Sequence, residues 1–265
     1  MTSKIKFAAR SEVGYFRKNN EDNLFCNGVI MKENERDKPF FINGICEAPC
    51  VFAVFDGMGG MDSGELASLT AAESLCGHAE RINHGTFEDM NQFAHDANAK
   101  LLSIMKQQNI QTGTTLALIS SGTKSFAVFN LGDSRVYVRK GDTVIQVTDD
   151  HTVTAEKLRA GKITPKQAMT DRYRNVLTRC LGMSDSFSVS PDLCGVFPFI
   201  ECNRAMICSD GLTDMLTHKE IAEIMKRDED VSEIVNELVN LALNNGGHDN
   251  VTCIVIDFHN DEIMP

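Results

Sequence analysis

Residues 50–60, CVFAVFDGMGG, constrain this chain more than any other stretch. They open as a near-continuous apolar run, the pattern of a strand buried on both faces. The run breaks off at Asp56, and Gly57, Gly59 and Gly60 follow at once. A carboxylate at the mouth of a buried strand is costly unless something pairs with it. Glycines carry no Cβ, so the backbone can turn sharply there and approach a ligand closely. Asp62-Ser63-Gly64-Glu65 then reads as a helix start, an N-cap acid with a Glu three residues on. The expected order is strand, acid, glycine turn, helix, with the acid held at a cleft where other acids meet it.

The bulk of the chain limits what that cleft serves. With 265 residues, 42% hydrophobic and 24% charged, the chain is long enough for one large domain with a substantial core; a single domain over 1–265 is expected. No apolar run approaches the roughly 20 residues of a membrane helix, and the N-terminal segment lacks the long apolar region of a secretory signal. The expected place is the cytoplasm, away from membranes. Nine cysteines are scattered without a CxxC pair, mostly inside apolar strands (Cys50, Cys208, Cys253). Reduced, buried thiols fit better than zinc or a disulfide framework. The net charge of −11 argues against nucleic acid, whose phosphates would be repelled.

Taken in order, residues 4–10 and 23–30 read as strands joined by a polar turn with Arg17, Glu21 and Asp22. Residues 31–49 read as a hairpin with a charged, exposed tip. Residues 64–79 form a helix whose small residues (Ala67, Ser68, Ala71, Ala72) permit close packing on a sheet. A second helix is expected from about Thr86 to Gln108, its buried stripe being Phe87, Met90, Ala94, Ala97, Leu101 and Ile104. The period then changes to two. Segments 114–120, 125–131, 134–140 and 143–148 read as one antiparallel meander with hairpins at Gly122 and Gly141-Asp142. Residues 149–176 are polar, with short helical pieces, in the manner of a flap. Strands at 192–197 and 204–209 follow. The capping box Thr217-His218-Lys219-Glu220 opens a helix to about Arg227, and residues 231–243 form another, before a last strand, VTCIVIDF. This order predicts an α+β fold: two antiparallel sheets packed as a β-sandwich, with helices covering both outer faces.

Several places share one grammar, an acid at a strand end or glycine turn: Glu21 and Asp22, Asp56, Asp133, Asp210 and Asp249. A lone case is usually a turn former or N-cap. Repeated at equivalent positions, such acids would repel one another and raise each other's pKa unless cations neutralise them. An oxygen-only set suits Mg²⁺ or Mn²⁺, not zinc. Two such ions can activate a water and clamp a phosphoryl group. Arg17, five residues before Asp22, suits bidentate phosphate binding; a structural pair with a neighbouring acid is the alternative. With no P-loop, phosphate-loop cysteine or Ser-His-Asp set in the sequence, direct attack by water is favoured over a covalent intermediate.

The segments RKNNEDN (17–23), VFDGMGG (54–60), GTT (113–115), NLGDSRVY (130–137), TDDHT (148–152), LTRCLG (177–182), ICSDGLTD (207–214) and GGHDNVT (246–252) together resemble the metal-dependent protein phosphatases of the 2C family in their bacterial form. They stand in the family's order and span nearly the whole chain. GKITPKQA (161–168) resembles the flap of bacterial members. The resemblance implies that Asp56 bridges two Mn²⁺ or Mg²⁺ ions, that Asp210 and Asp249 bind one and the Gly57 carbonyl the other, and that Glu21 and Asp22 act through water. It implies a weaker third site at Asp133 with Asp210, and a grip of Arg17 on the substrate phosphate. The implied reaction is hydrolysis of phosphoserine and phosphothreonine in proteins by a bridging water or hydroxide. The implied partners are phosphoprotein substrates of a cognate serine/threonine kinase, met by a monomer. One departure is Met58: many members carry a histidine there as proton donor, and a thioether has no proton to give. A catalytically silent binding or sensor module of the same fold is the alternative, but such members typically lose metal acids and this chain keeps every one.

His151 reads as structural and His248 as an incidental turn residue. Asp149 and Asp150 read as turn and capping groups, the methionines as core filler, and MKENERDK (31–38) as a solvated tip.

Overall fold

The computed structural model describes residues 3–59, 63–84, 87–184 and 188–258. In chain order its elements are β1 (Lys4–Glu12), β2 (Asp22–Cys26), β3 (Val29–Ile30), β4 (Phe40–Glu47), β5 (Cys50–Gly59), α1 (Gly64–His84), α2 (Phe87–Gln108), β6 (Thr112–Thr114), β7 (Leu116–Ser121), β8 (Ser125–Leu131) and β9 (Arg135–Lys140). Then come β10 (Thr143–Gln146), α3 (Val153–Arg159), α4 (Pro165–Ala168), β11 (Asp192–Pro198), β12 (Arg204–Cys208), α5 (Asp210–Thr213), α6 (His218–Met225), α7 (Val231–Asn244) and β13 (Val251–Phe258).

One sheet orders its strands β10-β9-β12-β13-β1-β4; the other runs β11-β8-β7-β5-β2-β3, with β6 pairing the end of β5. All these pairings are antiparallel. Strand β5 shows why the arrangement holds. Phe52 and Val54 enter the core between the sheets, with Phe7, Phe126, Ile207 and Ile254. Val51, Ala53 and Phe55 point the other way, onto Ala67, Ala71, Leu75 and Phe93 of α1 and α2. The strand is apolar throughout because both its faces are covered. On the far side, α6 and α7 lay Ile221, Ile234 and Leu238 on Ala8, Tyr137 and Met206. The result is the expected four layers, helix, sheet, sheet, helix.

Local signals are realised closely. Ala67, Ser68, Ala71 and Ala72 are all buried, which lets α1 lie flat on its sheet. The capping boxes at Thr217 and at Asp230 are formed. The nine cysteines are free thiols. Helix α2 turns Met90, Ala94, Ala97 and Leu101 inward as expected, together with Phe93 and Met105, whereas Ile104 is half-buried and Phe87, stacked on Phe129, stays 43% exposed. The first helix runs past residue 79 to His84. Gly60, Asp62 and Thr86, which figure in the expected turn and helix starts, lie outside the described residues.

Three expectations fail, the last two because pairing partners are chosen across the sandwich, not along the chain. Residues 23–30 are not one strand. Asn27 and Gly28 take positive φ, 45° and 97°, and fold β3 back on β2. Residues 31–49 are not a hairpin, since β4 leaves that sheet and pairs β1 in the other. The expected meander is split, β7 and β8 pairing in one sheet and β9 and β10 in the other. The crossing is made at Gly132-Asp133, between β8 and β9.

Candidate active site

That crossing, and the ends of strands from both sheets, frame a cavity of about 520 Å³. Its lining includes Glu21, Asp56, Asp133, Asp210 and Asp249, and Arg17 is the only lysine or arginine among the described residues that line it. Five of the six expected acids therefore meet at one place. The sixth, Asp22, lies directly opposite Asp56 in the β2–β5 register, is almost wholly buried and does not line the cavity. Gly57 and Met58 also line it, as do Asn175 and Leu177 from the end of the flap and its continuation.

The acids are aimed by tight backbone contacts. Thr115 N–H donates to the Asp56 carbonyl at 2.9 Å, and Asp56 N–H donates to Thr115 Oγ1 at 3.0 Å. Gly57 N–H donates to the Glu21 carbonyl at 3.1 Å. A Cβ at Gly57 would stand 2.2 Å from the Gly64 carbonyl oxygen and 2.4 Å from that of Glu21, so only glycine lets β5, β2 and α1 come this close. At Gly211 a Cβ would stand 2.0 Å from the Asn250 carbonyl oxygen. That approach brings Asp210, at the start of α5, beside Asp249.

Asn250, buried next to Asp249, pins the loop between β1 and β2 at three points. Its Oδ1 accepts the Glu21 N–H at 2.8 Å, and its Nδ2 donates to the Val13 and Asn19 carbonyls. Ser209 precedes α5 without capping it; its hydroxyl donates to Asp22 Oδ2 at 2.8 Å and accepts the Thr252 N–H. Sequence reading missed these residues. The only local signal was their position beside Asp249 and Asp210, since their partners lie far off along the chain.

The electrostatics follow from burial and crowding. Burial raises Asp56 well above the usual carboxylate range, and the charges of Asp210, Asp22, Asp133 and Asp249 push it the same way. Asp133 is raised by burial and then by Asp210. Burial and then Asp249 lift Asp210 to about 6. Asp22 is pushed up to about 7 by burial, against the hydrogen bonds of Thr252 and Ser209. Burial also raises Glu21, with Arg17 opposing. Arg17 Nη2 donates to Asp249 Oδ2 at 2.7 Å, and Nη1 lies 3.6 Å from Glu21. Burial pulls its pKa down, but the hydrogen bond and charge of Asp249, with the charges of Glu21 and Asp56, together raise it. Arg17 thus makes the structural pair considered above and faces the cavity as well.

Among the described residues no three His, Cys, Asp or Glu groups stand together as a finished metal cage. The acids have taken other partners, Asp249 with Arg17 and Asp22 with Ser209. The donor set nevertheless fits hard divalent ions. Its carboxylates and the Gly57 carbonyl offer oxygen alone, and the five acids outnumber the guanidiniums that act on them, Arg17 on Glu21 and Asp249 and Arg135 on Asp133 and Asp210, an imbalance that cations relieve.

His151 and Asp150 resolve as structural groups. Gly132 N–H donates to His151 Nδ1 at 3.0 Å, and His151 Nε2 lies 3.0 Å from Asp192; His151 pins the crossing turn that carries Asp133. Asp150 is not a cap. It receives Arg135 through two nitrogens, at 2.9 and 2.6 Å.

The fold and this acid-lined cavity define a metallophosphatase-like architecture, and comparison with known proteins places it: the chain matches protein phosphatase 2C over residues 8–251 and belongs to that family. It is 31% identical over 255 residues to the serine/threonine phosphatase stp of Listeria innocua, covering 94% of both chains. It is 28% identical over 261 residues to the serine/threonine protein phosphatase PstP of Mycobacterium tuberculosis, covering 97% of this chain and 46% of that protein. A crystal structure of M. tuberculosis PstP superposes with a TM-score of 0.80 at 27% identity, covering 97% of this chain and all of the other. The PstP catalytic domain in complex with two manganese ions gives 0.76 at 26% identity, covering 97% and 100% of the two chains.

Proposed function

We propose that this chain is a metal-dependent serine/threonine protein phosphatase, a single catalytic domain that hydrolyses phosphoserine and phosphothreonine in proteins. The observation that carries this reading is the cavity itself, with five carboxylates from separate strand ends and one arginine. Asp56, Asp210, Asp249 and the Gly57 carbonyl are the groups to hold two Mn²⁺ or Mg²⁺ ions, with Glu21 and Asp22 behind them and Asp133 with Asp210 for a weaker third. Such ions, when bound, supply positive charge to the phosphoryl oxygens and an activated water as nucleophile.

The chain's own residues do the rest. Arg17 presents a planar fork to the substrate phosphate; to do so it gives up its hydrogen bond to Asp249, whose carboxylate is then free for a cation. Asn250 and Thr115 hold the backbone of Glu21 and Asp56, so the acids do not shift when ligands arrive. Met58 lines the same cavity but has no proton to donate to the leaving alkoxide.

Among the described residues no helix is long and apolar enough to cross a membrane. The net charge of −11 disfavours nucleic acid as a partner, and the reading is of a cytoplasmic monomer that opposes a serine/threonine kinase. The deciding experiment is hydrolysis of a phosphothreonine peptide with Mn²⁺ and with chelator. Turnover with the ion and none without it is expected. Calorimetric Mn²⁺ binding without turnover would instead identify a silent module of the same fold.

A further inference from the structure

Two large aromatic side chains beside the cavity have no part in that chemistry. Tyr15 and Phe16, which immediately precede Arg17, are each 67% exposed. Scattered exposed apolar residues are ordinary, but this pair is adjacent and held in place. Tyr15 N–H donates to the Gly247 carbonyl at 2.8 Å, and the Tyr15 ring lies so close over Gly247 that a Cβ there would stand 3.1 Å from Cδ2. Phe16 packs against the exposed His248 imidazole, ring centroids 4.6 Å apart and tilted by 33°. Gly14, at φ +80°, brings the same loop against the Asp249 carbonyl, where a Cβ would stand 2.2 Å away. The loop before Arg17 and the turn before Asp249 are therefore one rim, which carries two cavity-lining residues and three exposed rings.

Resting on the phosphatase reading above, we infer that Tyr15, Phe16 and His248 form an aromatic ledge for an apolar side chain next to the phosphorylated serine or threonine of the substrate protein. A peptide whose phosphate reaches Arg17 passes within one or two residues of Phe16, since successive Cα atoms are about 3.8 Å apart. Rigid aromatic rings offer large contact area at small entropic cost, and are enriched at interfaces for that reason. Here they are already positioned by Gly247 and by each other's neighbours, so little ordering is left to be done on binding. The surrounding acids by themselves would select basic neighbours; the rings select apolar ones.

The test compares Mn²⁺-dependent kcat/KM on phosphothreonine peptides that differ only in the residues flanking the phosphothreonine: leucine or phenylalanine, alanine, or arginine, on either side. The wild type is expected to favour the apolar peptide over the alanine peptide by about tenfold on at least one side, the order set by covering one apolar group. Phe16→Ala and Tyr15→Ala are each expected to bring that ratio near one, and Phe16→Leu to keep part of it. A wild-type ratio near one, an unchanged ratio in both alanine variants, or arginine as the preferred neighbour overturns the ledge while the phosphatase reading stands. No hydrolysis of any of the peptides by the wild type overturns the phosphatase reading and the ledge with it.

Discussion

Asp56 and Arg17 are the two residues on which the chemistry most directly turns, and they differ in what their loss should do. Asp56 sits where β5 meets β2 and α1, crowded by four other carboxylates. Asp56→Asn keeps the size and removes a charge that burial and crowding disfavour, so the fold should be as stable or more stable. Activity should fall by about a thousandfold or more, with weaker Mn²⁺ binding by calorimetry. Near-normal turnover in that variant would refute a bridging role. Arg17 is exposed enough to be replaced without structural cost and pairs with Asp249 at 2.7 Å. Arg17→Ala should raise KM for phosphopeptide roughly tenfold or more with a smaller effect on kcat. Because the change frees Asp249, Mn²⁺ affinity should hold or improve. An unchanged KM, or a loss of metal affinity, would show that Arg17 organises the acids and does not grip phosphate.

At the scale of elements, two glycines with the same substitution should behave oppositely. Gly77, exposed on α1, has open space where a Cβ would stand, nothing lying within 4 Å; Gly77→Ala should stabilise by about 0.5–1 kcal/mol through helix propensity. Gly211 lies in α5 with the Asn250 carbonyl 2.0 Å from where its Cβ would be. Gly211→Ala must move backbone, which should cost about 1–3 kcal/mol and, by shifting Asp210, about a hundredfold in kcat. Thermal melts and steady-state kinetics on the pair decide it; equal effects would mean that the α5–β13 contact yields easily. The same contact marks the limit of what the sequence discloses. The strand ending in Asp56, the cap at Thr217 and the stripe of α2 are local patterns and could be read directly. Allocation of β8 and β9 to different sheets could not, because alternation within each strand is the same whichever sheet it joins. The acids were legible as a repeated acid-at-a-turn signature. Asn250 and Ser209 were not, since each acts on residues roughly two hundred positions away and their own neighbourhoods look like ordinary turns.

For the whole molecule the site is a problem of charge. The chain carries −11, and the cavity, with Asp22 buried behind it, gathers acids that the fold holds above their ordinary pKa, Asp22 at about 7 and Asp210 at about 6, with Asp56 and Asp133 well raised. In the unfolded chain such carboxyls titrate near about 4. Folded values above unfolded ones mean that stability is fully present below about pH 4 and is lost as pH rises through about 6–7, where the fold must carry charges the open chain bears more easily. His151 works in the opposite sense. Burial, and then Arg179, lower its pKa, so its contribution is present above about pH 6.5 and is lost as pH falls. These four raised acids, with Glu21 as a fifth, outweigh one imidazole, and a divalent ion binds only ionised carboxylates, so its stabilising effect should grow with pH. In chelator, the melting temperature should therefore drop by roughly 5 °C or more between about pH 5 and about pH 8, and Mn²⁺ should restore most of the loss at the higher pH. Repulsion among surface acids would lower it too, and the variant Asp56→Asn/Asp210→Asn separates the two. It removes two of the crowded charges and leaves the surface intact, so its melting temperature in chelator should depend much less on pH and should no longer respond to Mn²⁺. If the double variant keeps the full pH slope, the instability belongs to the surface, and the cavity acids are not the strained group that the cations relieve.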